Sequence, residues 1–286
     1  MQMGKIVLVV ETGSDITPEI AARYGVEVVP MHVTMGDVTR DDGTFPPEEV
    51  CSYYDKSGKL PKTSGSTPAD FQPVFDRIHA RDPEAKILYL AYSAVTTVSF
   101  ASAHIAAEGR DYVRLVDTKQ CTGGQLMVMV KTAQMLEKNP DMTVDEAAAY
   151  AEMIREKVQM CFIPADLKYL RAGGRCSNAA YIGGKLLQIH PCIEVLDGKL
   201  LATKQLRGNF NRVIPSIIRS YTAEYHMEKE PFFLLWVPGF SEEHKQLAEK
   251  TAHECGYPDV TWIKTGCVIT THGGPGAFGI VGVRGE

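Results

Sequence analysis

The sequence lacks paired cysteines, an excess of basic charge, long apolar runs and the common signatures of self-contained catalysts. Its seven cysteines, Cys51, Cys121, Cys161, Cys176, Cys192, Cys255 and Cys267, are odd in number, and no two are spaced C-x-x-C. That pattern argues against a disulfide framework or a zinc site and fits a reducing, cytoplasmic setting. Thirty Lys and Arg stand against thirty-five Asp and Glu, a formal net charge of −5. Nucleic acid is therefore not expected as a partner, because phosphate binding needs a basic face. The apolar segments 6–10 and 232–237 are strand-sized, too short for a signal-peptide core or a membrane span, so no stable membrane anchor is expected. There is no internal repeat and no low-complexity linker.

Motif tests exclude more. Gly184-Lys185 resembles the end of a P-loop, but Leu186 stands where Ser or Thr is needed and Ala179 where the first glycine is needed. The string Gly274-Pro275-Gly276-Ala277-Phe278-Gly279 matches G-x-G-x-x-G literally, yet a β-like run follows it and no helix opens after it. The dinucleotide-binding reading fails on that context. Neither a G-x-S-x-G elbow nor an H-E-x-x-H pair occurs. No metal site and no cofactor are expected.

What the sequence does hold is ordinary globular material: 286 residues, 44% hydrophobic and 23% charged, enough for two domains. Segments 6–10, 26–29, 87–91 and 113–116 are β-rich and nearly continuously apolar, the mark of strands buried on both faces of a parallel sheet. Helix starts lie between them. Thr17-Pro18 and Thr67-Pro68 each place a capping hydroxyl before a proline, and Thr143-Val144-Asp145-Glu146 is a capping box. Beyond residue 160 the pattern changes. Leu196-Asp197-Gly198 reads as the turn of a hairpin joining 193–195 to 199–205. Helices over 211–225 and 241–255 and strands at 232–237, 260–263, 267–271 and 277–283 follow. The expected fold is α/β in two domains: an N-terminal three-layer α/β/α domain with a parallel sheet over 1–162, and a C-terminal α+β domain with a mixed sheet over 163–286.

Polar clusters fall where these strands should end: 11–15, 62–67, 92–97 and 117–124. Open α/β sheets bind ligands beyond the carboxyl ends of their strands, where hydroxyls and helix amides donate to an anionic group. Taken singly, each cluster also reads as helix caps. In the second half, Gly173-Gly174 precedes Arg175, and His272 sits before the glycine-rich stretch 273–276. Paired glycines expose a guanidinium, which pairs with a carboxylate or a phosphate. A small-molecule phosphoryl- or acyl-transfer enzyme using His272 and Arg175 is the alternative reading of these residues.

Five of these segments, in order, resemble the DegV family of bacterial fatty-acid-binding proteins. Residues 11–15 are similar to T-D-S-T-x-D. Lys62-Thr63-Ser64 with Ser66 and Pro68 matches K-T-S-x-x-S/T-P. Residues 93–103 look like a degraded S-S-G-L-S-G-T-Y-x-S-A. Residues 167–175 match L-x-Y-L-x-x-G-G-R, and residues 272–279 match H-x-G-P-G-x-x-G. The resemblance implies a fatty acid held at the domain junction. Its carboxyl would be bound by Thr63, by Ser93 or Thr97, and by His272, with Ser64 and Arg175 supporting the polar site. It implies a carrier, with no catalytic residue of its own, that presents long-chain fatty acid to a separate ATP-dependent kinase for acyl-phosphate formation in lipid metabolism. Arg207, after the hairpin, is a candidate for the partner-facing surface.

Overall fold

The computed structural model describes residues 6–174 and 189–285; Arg175, Cys176 and Gly184-Lys185 lie outside them. In chain order the strands are β1 (Ile6–Glu11), β2 (Glu27–Val29), β3 (His32–Met35), β4 (Val38–Asp41), β5 (Lys62–Ser64), β6 (Lys86–Ala91), β7 (Val113–Asp117), β8 (Val158–Ile163), β9 (Ile189–Leu196), β10 (Lys199–Arg207), β11 (Phe233–Trp236), β12 (Thr261–Lys264) and β13 (Phe278–Val283). The helices are α1 (Pro18–Tyr24), α2 (Pro47–Ser57), α3 (Pro68–Arg81), α4 (Ser99–Ala107), α5 (Thr122–Lys138), α6 (Val144–Arg155), α7 (Lys168–Gly173), α8 (Phe210–Glu224), α9 (Glu242–Glu254) and α10 (Cys267–Gly273).

The four N-terminal strands expected from their apolar runs form one parallel sheet, ordered β2-β1-β6-β7. Side chains alternate across a strand, so each run serves two cores. Val7, Val9, Ile87 and Tyr89 pack with Phe71, Phe75 and Ile78 of α3 and Ala103 of α4. Leu8, Val10, Leu88 and Leu90 face the other way, toward α5 and α6. The helix starts follow their signals. Ile20 N donates to Thr17 Oγ1 at 3.3 Å, and both Thr67–Asp70 and Thr143–Glu146 form capping boxes.

The second sheet is mixed, ordered β10-β9-β8-β13-β11-β12. Its hairpin turns where expected, with Asp197 at φ +46° and Gly198 at φ +79°. α8 and α9 cover its outer face through Ile214, Ile217, Ile218, Ala248 and Ala252. β8 straddles the expected division at 162/163 and pairs in this second sheet with β13 and β9. A third, small antiparallel sheet, β4-β3-β5, was not anticipated from the sequence. Among the described residues no helix is long and apolar enough to cross a membrane.

One expectation is corrected here. The Val-Ile-Thr-rich segment 267–271 is not a strand but most of α10. Its β propensity is overridden because buried carboxylates from the first half of the chain accept its first amides. The string 274–279 is no dinucleotide loop, in keeping with its sequence context; it turns out of α10 into the first residues of β13.

α5 joins the two halves. Residues 122–130 are all buried, and one contiguous core runs from Leu8 and Leu90 across Leu126 and Val130 to Met160, Phe233, Leu235 and Val281. A Cβ on Gly123 would stand 2.6 Å from Leu235 Cδ2 and 3.0 Å from Val281 Cγ2, so the glycine sets how closely the helix meets the second sheet. Gly123→Val is expected to cost about 2–3 kcal/mol by overpacking, read as a lowered urea midpoint, with fluorescence and far-UV CD still unfolding together. An unchanged midpoint would show that the helix is not wedged between the sheets.

Candidate functional site

Between α5, the second sheet and the small sheet runs a narrow cleft with about 770 Å³ of free space, including its open mouth. Met31, Cys121, Met160, Leu170, Leu235 and Val268 are among its apolar wall residues. Among the described residues no lysine or arginine lines it; its polar groups include the hydroxyls of Thr63 and Thr97 and the His272 imidazole.

Thr63 stands on β5 opposite Val33 of β3, with its neighbours Lys62 and Ser64 exposed. His32 ties the small sheet to α3. Its Nδ1 lies 2.9 Å from Asp41 Oδ1 and its Nε2 3.0 Å from Asp70 Oδ2. Burial alone would pull this imidazole's pKa down, but hydrogen bonds and charge from Asp70 and Asp41 outweigh that and hold it above its ordinary value.

His272 comes from the last turn of α10, and its Nε2 lies 2.7 Å from Thr63 Oγ1, hydrogen-bonded across 209 positions of sequence. The ring packs so closely on α7 that a Cβ on Gly173 would come within 2.2 Å of Nδ1. Gly65 does the same for Thr97: a Cβ there would meet Thr97 Oγ1 at 2.2 Å and Ser99 Oγ at 2.7 Å. Ser66 N donates to Ser99 Oγ at 3.0 Å, and Ser66 Oγ to Pro30 O at 2.7 Å, lacing the 62–67 segment to its neighbours.

The structure thus brings Thr63, Thr97 and His272 to one cleft, with Ser64 exposed at its border. Ser93 is not among the lining residues. It is completely buried, and its hydroxyl donates to Gly198 O at 2.8 Å, fastening the hairpin turn to the first sheet. The sequence left Ser93 and Thr97 as alternatives; of the two, Thr97 lines the cleft and Ser93 does not. Arg175 lies outside the described residues.

Sequence reasoning missed the groups that hold α10. Gly266 N donates to Asp15 Oδ1 at 2.7 Å, Cys267 N donates to Asp42 Oδ1 at 2.8 Å, and Thr122 Oγ1 donates to Asp15 Oδ2. Asp42 reads locally as part of an Asp-Gly turn, and nothing in its neighbourhood signals a partner 225 positions away. Glu11 is completely buried too. It accepts from Tyr89 Oη, from Tyr92 N at 3.1 Å and from Gln125 Nε2 at 2.6 Å.

The fold agrees with that of known relatives. The DegV family model matches residues 5–284. The chain belongs to the DegV family. A DegV domain-containing protein of Deinococcus radiodurans is 28% identical over 281 residues, 96% of this chain and 97% of that one. A DegV family protein from Thermus thermophilus, whose structure is described as one of fatty acid binding, superposes with TM-score 0.86 at 25% identity, covering 98% of this chain and 99% of that one. The fatty acid kinase B3 protein of Streptococcus pneumoniae, solved with linoleic acid, shares the DegV fold at TM-score 0.83 and 15% identity, covering 98% of this chain and all of that one.

In this DegV chain, burial raises the carboxyl pKa of Glu11 and Asp42 above the ordinary range and that of Asp15 well above it, with Asp42's charge adding to the effect at Asp15. A carboxyl of this kind keeps its proton in the folded chain at a pH where the unfolded chain has released its own. Stability therefore falls as pH rises from the unfolded pKa, about 4, toward the raised folded value. Asp15→Asn removes that slope. Its stability relative to wild type should increase as pH rises above the unfolded value of about 4, with a slope of at most ~1.4 kcal/mol per pH unit. Parallel melting-temperature profiles would show that Asp15 is ionised in both states.

Proposed function

We propose that this chain binds one long-chain fatty acid in the cleft, its carboxyl at Thr63, Thr97 and His272 and its tail along the apolar wall, and presents that carboxyl to a separate ATP-dependent kinase. The observation that carries this reading is the Thr63–His272 pair set into a narrow, otherwise apolar cleft. Hydroxyls and an imidazole bind a carboxylate without burying a lysine or arginine beside it, which limits the desolvation cost. An acyl tail supplies the affinity: about fifteen methylenes at roughly 0.8 kcal/mol each give on the order of 12 kcal/mol before association costs. The fatty acid binding reported for the DegV family protein of Thermus thermophilus and the linoleic acid on the Streptococcus pneumoniae protein support the ligand class. The streptococcal protein's kinase name supports the presenting role. The lack of an acceptable phosphate loop for ATP in the sequence supports this division of labour. The setting we assign is the cytoplasm.

Organic extraction of the purified protein followed by mass spectrometry is expected to find a long-chain fatty acid. Thr63→Val keeps the side-chain shape and removes the hydroxyl. Losing a hydrogen bond to a charged group worth ~1.5–3 kcal/mol should weaken fatty-acid affinity by roughly 10- to 100-fold. With labelled ATP, acyl-phosphate should form only when a kinase is added. Protein that carries no lipid and takes up neither palmitate nor oleate would remove the carrier reading. Acyl-phosphate made at an enzymatic rate by this chain alone would make it an enzyme.

A further inference from the structure

α10 is only seven residues long, and the small sheet and its neighbouring turn hold it at both ends. Asp42 directly follows β4 and accepts the Cys267 amide at 2.8 Å; Thr63 on β5 meets His272 Nε2 at 2.7 Å. Asp42 is itself fixed, its amide donating to Met31 O at 2.8 Å. Asp15 takes the adjoining Gly266 amide at 2.7 Å. The fit is tight. A Cβ on Gly266 would stand 3.1 Å from Asp42 Oδ1, 3.2 Å from its Oδ2 and 3.3 Å from Asp15 Oδ1. Cys267 Sγ adds a contact to Phe45 O at 3.2 Å. Between Cys267 and His272 lie roughly 7–8 Å of helix, too short to bend, so a displacement at the first amide reaches the imidazole nearly undiminished. At the far end the ring has little slack, because Thr63 holds one side and the Cβ-less Gly173 admits the other.

We infer that Asp42, assisted by Asp15, is a positioning residue of the head-group site: by holding the first amides of α10 it sets where His272 Nε2 meets Thr63 Oγ1, and so how the Thr63 hydroxyl is aimed at the ligand carboxyl. No ligand is assigned to the amides themselves, since the carboxylates already occupy them. The inference rests on the head-group reading proposed above. It adds that carboxyl recognition depends on a residue that is absent from the cleft lining and lies at the opposite end of the helix.

The test is the ratio of affinities for palmitate and for hexadecan-1-ol, which share a tail and differ in the head group, measured by calorimetry on the full chain. Wild type should prefer palmitate. Asp42→Ala should reduce that preference about tenfold, the scale of one charge-assisted hydrogen bond, while affinity for the alcohol stays close to wild type. Asp42→Asn should retain the preference, because its amide oxygen can still accept from Cys267 N. Gly266→Ala keeps both carboxylates and displaces the helix end; it should act like Asp42→Ala, and it carries the test if Asp42→Ala does not yield folded protein by CD. Equal losses for both ligands, or an undiminished preference in Asp42→Ala and Gly266→Ala, would overturn the inference. A wild type that binds acid and alcohol equally would overturn the head-group assignment and the inference with it.

Discussion

A buried carboxylate without donors is one of the most costly groups a fold can contain, and among the described residues this chain buries four, Glu11, Asp15, Asp42 and Glu194. Glu11 finds its donors within the first half of the chain, where Tyr89, Tyr92 and Gln125 come together around the end of β1. Asp15 and Asp42 depend on the second half, because the amides of Gly266 and Cys267 belong to it. Moving the halves apart would strip both carboxylates of those donors and bare the core that runs through α5. The relative placement of the two sheets is thus set by directional bonds as well as by apolar area, and the cleft inherits its shape from that placement.

The cleft separates two tasks physically. Its walls bring affinity without direction, since dispersion and water release do not discriminate between one methylene and the next. In the proposed reading, orientation comes from Thr63, Thr97 and His272, which three distant stretches of chain bring to the cleft. Two missing Cβ atoms make their convergence possible. Gly65 leaves room for the Thr97 hydroxyl and Gly173 for the His272 ring. The family's glycine-bearing motifs therefore have a steric meaning here.

Much of the fold was legible because it is written locally. Apolar runs announced the parallel strands, threonine caps announced α1, α3 and α6, and Asp197-Gly198 announced the hairpin. The small sheet escaped notice because β3, β4 and β5 have three or four residues each and are mostly half-buried or exposed, so they lack a periodic signal. α10 was misread because its Val-Ile-Thr composition favours a strand, and only a tertiary cap reverses that preference. Motif order pointed to Thr63, Thr97 and His272, which line the cleft, but it could not tell which hydroxyl faces that cleft. Ser93 sits in a segment where Val95 stands in place of the family's glycine, and its hydroxyl is engaged with Gly198 on the opposing hairpin. Asp42 left no mark at all, because its partner amide is 225 positions away.

The wedged position of α5 also bears on how the protein is made. Gly123 packs against Leu235 and Val281, and Val281 leaves the ribosome about 160 residues after Gly123. At synthesis rates of roughly 5–20 residues per second, that interval lasts on the order of 8–30 seconds. Through it the first sheet can form and bury one side of the helix, while the side destined for the second sheet faces water. The nascent chain therefore passes through a stage with a bare apolar helix face, a binding surface for chaperones that the finished protein no longer has.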